Sequence, residues 1–115
     1  MVGSYVREVF KDFDLVLTDI VDGYIYLEVE DKVSIRKLLD KVKPDYLLHL
    51  AAATYVDKCE IEPEWANRVN VEGTNNFALA CKESNIPMIY ISTGAVFNGD
   101  KESPYVETDN ISPSN

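Results

Sequence analysis

At 115 residues, 46% of them hydrophobic and 27% charged, the chain is long enough for one small core and has the make-up of an ordinary globular domain. Its net charge of −9 argues against a general nucleic-acid surface, which needs clustered Lys and Arg, and leaves room only for a phosphate held by backbone N–H groups. No apolar run approaches the roughly 20 residues of a membrane span, and no signal-peptide pattern opens the chain.

Cys59 and Cys81 lack metal-ligand spacing, and the single histidine, His49, lies inside an apolar run where a core role is expected. No metal site is therefore expected. Reduced thiols and the absence of a leader point to a cytoplasmic protein.

In chain order, Val2, Val6, Val9 and Phe10 fall on one face of a helix over residues 1–11. Asp14 to Asp19 reads as a short buried strand, Asp22-Gly23 as a turn, and Tyr24 to Val29 as a second, shorter strand. Asp31 suits the N-cap of a helix whose stripe is Ile35, Leu38, Leu39 and Val42 and whose stop is Pro44. Tyr46 to Leu50 is a continuous apolar run between turn signals, the mark of a strand buried on both faces of a parallel sheet.

The stretch after that run organises the rest. Ala51-Ala52-Ala53-Thr54 puts small side chains at the carboxyl end of a strand, where open α/β sheets bind ligands and where a flat cofactor can approach the backbone. Pro63 then suits a first helical position, and a helix is predicted over about 62–83 with Val69, Gly73, Phe77 and Ala80 on one face. Gly73 in a helix interior costs about 1 kcal/mol against Ala, so a close packing partner is expected there. Asn85 can supply the left-handed stop before a last strand, Met88 to Ile91, which ends in Ser92-Thr93. Residues 98–115 read as polar loop. Alternating strands and helices make the class α/β, a doubly wound parallel sheet in one domain. Parallel strands joined by a right-handed crossover bring Ala52-Ala53-Thr54 and Ser92-Thr93 to the same edge.

Several motifs now stand in one order. They are Leu50 to Thr54 with Val56-Asp57, Glu62-Pro63-Glu64, Val69-Asn70-Val71-Glu72-Gly73-Thr74, Ile91-Ser92-Thr93 with Val96-Phe97, and Pro104-Tyr105-Val106-Glu107-Thr108-Asp109. Together they resemble the dTDP-4-dehydrorhamnose reductase family of the extended short-chain dehydrogenase/reductases, across essentially the whole chain. The resemblance implies a Rossmann-like fold and NAD(P)H-dependent reduction of a 4-keto-6-deoxy nucleotide sugar. It assigns Glu28 and Val29 to the adenine ring, and Ala52, Ala53 and Thr54 to the nicotinamide half. Thr93 falls on the hydroxyl that bonds the substrate carbonyl, and Gly94 lies beside the sugar nucleotide. Asp19, by repelling a 2′-phosphate, leans the preference slightly toward NADH.

Three departures accompany the match. Met1-Val2-Gly3 retains only the third glycine of the phosphate loop, so the first, central strand is expected to be lacking. The family's Tyr-x-x-x-Lys pair falls past Asn115, so residues 98–115 are expected to lead toward a missing helix. Gly94-Ala95 replaces the family's Asp-Tyr. On this reading the chain is a partial domain, inactive by itself, that binds cofactor weakly and self-associates through exposed sheet edges. Two other readings imply the same fold: a non-catalytic regulatory subunit like that of methionine adenosyltransferase, and a nucleotide-sugar epimerase or dehydratase.

Overall fold

A computed structural model describes residues 2–113. A 3-10 turn, Val2–Tyr5, runs into α1 (Val6–Val9), followed by β1 (Thr18–Asp19), β2 (Ile25–Tyr26), α2 (Lys32–Val42) and β3 (Leu47–His49). Then come α3 (Val56–Ile61), α4 (Pro63–Asn67), a π-wound turn (Arg68–Gly73) continuous with α5 (Thr74–Glu83), β4 (Met88–Tyr90) and a 3-10 turn, Gly94–Val96. The sheets are parallel, as the α/β reading requires, but there are two of them: β1 pairs with β2, and β3 with β4. Among the described residues no strand joins the two.

Local chemistry explains the helix ends. The Asp31 carboxylate accepts from the N–H groups of Val33 (3.1 Å) and Ser34 (3.0 Å), capping α2. Its hydrogen bonds at Ser34 hold its carboxyl below the usual carboxylate range. Lys43 closes α2 in a left-handed conformation (φ 49°), ahead of Pro44. Asn85 does the same for α5 (φ 54°), with the Ile86 N–H reaching back to the Cys81 carbonyl at 2.9 Å.

The sequence reading needs correction in three helical places. The first helix is shorter than residues 1–11 and begins as 3-10; Met1 lies outside the described residues. α3 was not foreseen, because Tyr55 gives it no side-chain cap and it lasts only six residues. The helix predicted over 62–83 starts at Pro63 and is not α throughout, since residues 68–73 are π-wound. Pro63 itself separates α3 from α4: it disfavours helical geometry at Glu62, which has φ −123° and ψ 63°.

The strands are shorter and more exposed than expected. Of 14–19 only Thr18 and Asp19 are strand, and both are exposed. In the run expected to be buried on both faces, His49 is buried but Leu48 is 37% exposed. Likewise β4 ends at Tyr90, with Ile89 and Tyr90 exposed. The reason is common to all. Among the described residues each strand is bonded on one side only, and side chains such as Ile25, Tyr26, Leu48, Ile89 and Tyr90 stay exposed.

The core is correspondingly small. Leu27, Ile35, Leu39, Phe77, Ala80 and Cys81 are buried together, which pins α2 and α5 to the chain just after β2. Val29, Leu38, Leu47, Ile86 and Met88 pack around them. The radius of gyration is 15.8 Å, against about 13 Å for a compact domain of this length. His49 is 4% exposed, shares a 3.2 Å hydrogen bond with the Thr74 hydroxyl and lies against the rings of Phe77 and Tyr90.

The close partner expected for Gly73 is Val29. A Cβ on Gly73 would lie 2.6 Å from Val29 Cγ2 and 2.8 Å from its Cβ. Three residues on, the buried Asn76 Nδ2 donates to the Val29 carbonyl at 3.0 Å.

This packing has three measurable outcomes. Gly73→Ala gains helix propensity yet must displace a stiff valine, so it lowers stability by about 1–3 kcal/mol in thermal unfolding, and Val29→Ala in the same chain restores part of the loss. Burial holds the His49 imidazole below its ordinary value. The folded state therefore binds fewer protons than the unfolded one; stability is full above about pH 6.5 and declines as pH falls through it toward the folded pKa. Denaturant melts at pH 7 and 5.5 show this decline, and His49→Gln flattens it. Finally, the open strand edges and uncovered apolar faces make the isolated chain associate as concentration rises, which sedimentation velocity checks; a sharp, reversible unfolding transition in a dilute monomer is the contrary result.

Candidate functional site

β3 and β4 pair in register, Leu47 with Met88, Leu48 with Ile89 and His49 with Tyr90. Counting on from His49 and Tyr90, Ala52 and Thr93 each lie three residues past the last pair, so the two strand ends leave the sheet at the same edge. Ala51, Ala52 and Thr54 are exposed there, and Ala53 is half-buried. The segment does not rely on the sheet for its backbone bonds. Asn70 Oδ1 accepts from the Ala53 N–H at 2.7 Å, while Asn70 Nδ2 donates to the Ala53 carbonyl at 3.0 Å. The Cys59 thiol adds a weak bond to the same carbonyl at 3.6 Å.

Thr93 is extended (φ −129°, ψ 148°) and caps the Gly94–Val96 turn, its Oγ1 accepting from the Ala95 N–H at 3.2 Å. That bond uses a lone pair and leaves the hydroxyl proton to be given elsewhere. Thr93 and Gly94 are both exposed, and nothing lies within 4 Å of where a Gly94 Cβ would stand.

The turn carrying Thr93 is backed by the polar loop. Phe97 stacks on Tyr105 (centroids 4.1 Å apart), and the Tyr105 hydroxyl accepts from the N–H groups of Gly99 (3.0 Å) and Lys101 (3.3 Å) while donating to Asn98 Oδ1. Asp109 accepts from the Val106 N–H at 2.8 Å and pairs with Lys101, which with that N–H holds its carboxyl below the usual range. The Ser112 N–H closes the loop on the Val96 carbonyl at 2.8 Å. The motif from Pro104 to Asp109 thus gives the loop its shape.

Of the other predicted residues, Asp19, Glu28 and Val29 lie at the second sheet. Glu28 and Val29 come after β2, with Glu28 exposed and accepting from the Tyr26 hydroxyl. The Val29 side chain packs on the helix at Gly73 and its carbonyl takes the Asn76 amide, while Glu28 is exposed. Asp19 ends β1, its carboxylate accepting from the Ile20 N–H at 2.7 Å. Gly3 lies in the opening 3-10 turn with open space where a side chain would project. Two groups result, one at each sheet's carboxyl edge, and the helix from Pro63 to Glu83 touches both.

These residues fit a dinucleotide in part. The β3 edge is open and lined by methyl groups, so a flat ring can reach the backbone. Among the described residues no group of three or more His, Cys, Asp or Glu is placed to hold a metal ion, and no helix is long and apolar enough to cross a membrane. Sequence reasoning missed Asn70 and Asn76 as positioning groups. Polar residues beside the apolar stripe of a helix were the available signal.

Comparison with known proteins agrees with this fold. The family described as RmlD substrate binding domain matches residues 1–115. A dTDP-4-dehydrorhamnose reductase of Aggregatibacter actinomycetemcomitans is 37% identical over 87 residues, 76% of this chain and 30% of that protein. A probable low-salt glycan biosynthesis reductase of Haloferax volcanii is 34% identical over 113 residues, 98% of this chain and 35% of that protein. The crystal structure of the Bacillus anthracis dTDP-4-dehydrorhamnose reductase in complex with NADP superposes with a TM-score of 0.87 at 28% identity, covering 96% of this chain and 39% of that one. The chain spans about a third of the length of the curated relatives it matches. With the match running from the first residue to the last, the chain belongs to the RmlD substrate-binding-domain family.

Proposed function

We propose that this chain supplies the strand-edge part of the active site of an NAD(P)H-dependent reductase acting on a 4-keto-6-deoxy nucleotide sugar. The observation that supports the reading is the parallel pairing of β3 and β4, whose carboxyl ends, leading into Ala52, Ala53 and Thr54 and into Thr93 and Gly94, lie at one edge. Relatives named as dTDP-4-dehydrorhamnose reductases, one of them solved with NADP, support the cofactor and substrate class.

The cofactor, when bound, supplies a hydride to the keto carbon. The chain's own residues do the rest of what falls to this edge. Ala52 and Ala53 admit a flat ring without steric conflict, and Thr54 borders it. Thr93, held by the Ala95 N–H, has its O–H to donate as a hydrogen bond to the carbonyl oxygen as negative charge develops there. Glu28 and the backbone at Val29 border the adenine end. Asp19 at the end of β1 repels a 2′-phosphate, favouring NADH slightly over NADPH. Tyr-x-x-x-Lys occurs nowhere in the 115 residues, so in this reading the proton donor comes from another part of the domain, beyond the loop of residues 98–115.

The test uses the full-length protein that carries this chain, assayed with a dTDP-4-keto-6-deoxy sugar and either NADH or NADPH. Thr93→Val keeps the β-branched shape and removes the donor, so kcat falls by about a hundredfold, near 3 kcal/mol, with KM little changed. Ser92→Ala is the control and retains turnover. Full turnover in Thr93→Val with loss in Ser92→Ala shifts the register of this edge by one residue. Binding of NADH with no turnover of any nucleotide sugar replaces the enzyme with the regulatory-subunit reading.

A further inference from the structure

The helix from Pro63 to Glu83 is the element that both sheet edges share, and it meets them through the stretch where it is not α-wound. Within the π-wound turn Arg68–Gly73, Asn70 holds both backbone groups of Ala53 and Gly73 admits the Val29 side chain. Arg68, at the start of the turn, pairs with Glu30 at 3.0 Å, and Asn76 takes the Val29 carbonyl at 3.0 Å just after it closes. A turn closed by i→i+5 bonds carries more residues than an α turn, so it rotates α5 against α4. One side of the helix thereby points an amide at the β3 end, while the next residues of contact face the chain after β2.

We propose that this π-wound turn is a positioning element for a bound dinucleotide. Asn70 is the positioning residue for the nicotinamide-side segment at Ala53, and Gly73 with Asn76 positions the adenine-side segment at Val29. The inference rests on the cofactor reading above, and on two facts of this structure that are independent of it. Among the described residues no strand pairing joins the two sheets. Ala53 lies beyond the β3–β4 ladder, and both of its backbone groups bond to one side-chain amide, the carbonyl also taking the weak Cys59 thiol bond. The two peptides that flank Ala53 are therefore held chiefly by Asn70 rather than by the sheet.

The experiment is amide exchange by NMR on the full-length protein that carries this chain, with a subsequent titration with NADPH and, separately, with ADP-ribose, which lacks the nicotinamide. Asn70→Ala speeds exchange at the Ala53 amide by about tenfold or more while the α2 amides keep their protection. Asn70→Asp retains acceptance from the N–H but sets an unprotonated oxygen against the Ala53 carbonyl, so it falls short of wild type as well. In both variants NADPH affinity drops about tenfold and ADP-ribose affinity is kept, since only one half of the ligand loses its seat. Asn76→Ala weakens both ligands, because both carry the adenine half, and leaves exchange at the Ala53 amide unchanged. Asn67→Ala removes an exposed contact to Glu72 on the same helix and changes neither ligand. Equal loss of both ligands in every variant makes the role one of general stability and overturns the proposal. Unchanged exchange at Ala53 in Asn70→Ala also overturns it. If neither ligand shifts any wild-type amide, the cofactor reading fails, and the exchange rates alone decide whether Asn70 sets the Ala53 peptide.

Discussion

The close approach of Gly73 to Val29 is the contact on which the remaining architecture depends. With no Cβ at 73, the long helix lies directly on the chain leaving β2, at a distance where even a methyl group would collide with Val29. That approach brings Asn76 within reach of the Val29 carbonyl and lets Phe77, Ala80 and Cys81 close over Leu27, Ile35 and Leu39. The Arg36–Glu83 pair at 2.9 Å spans α2 and α5 outside this core, but at half-exposed positions it adds little. Packing, not surface charge, holds the two helices together.

Polar contacts then give the packed helix a single position. His49 with Thr74, Asn70 with Ala53 and Asn76 with Val29 tie the helix to β3, to the end of β3 and to the end of β2. No buried side-chain nitrogen or oxygen among the described residues is left without a partner. In so small a core this matters, because an apolar helix face alone would tolerate a slide along the strands. Each amide fixes the position at a residue that borders the candidate site. The loop behind Thr93 works in the same manner, with the Tyr105 hydroxyl collecting three partners from its own loop.

The parts of this arrangement that obey local rules were legible in the sequence. Asp31 as a cap, Asn85 as a left-handed stop, the apolar stripe from Val69 to Ala80, and the need for a partner at Gly73 all depend on spacing and residue type. So does the shared edge of Ala52-Ala53 and Thr93, which requires only two parallel strands and a crossover. The π winding of residues 68–73 was not legible, because no residue there forbids an α turn; it arises from contacts at both flanks. Strand burial was overestimated for a related reason. An apolar run such as Tyr46 to Leu50 records what a strand is suited to, whereas exposure depends on which neighbours the chain provides. Asn70 was visible as part of a motif, but its bonds to Ala53 belong to tertiary structure.

The corner between α3 and α4 carries a spectroscopic consequence. Trp65, the chain's single tryptophan, lies with the Lys58 ammonium 3.8 Å from its ring centroid, across the break that Pro63 imposes. It is half-buried and is not among the residues that form the core. Its emission is therefore a local gauge of whether that corner is folded, blind to the Leu27–Phe77 cluster. Circular dichroism, weighted toward α2 and α5, reads the other region. A disagreement between the two signals in one denaturation would map the order in which the pieces of the chain come apart, rather than indicate a fault in either probe.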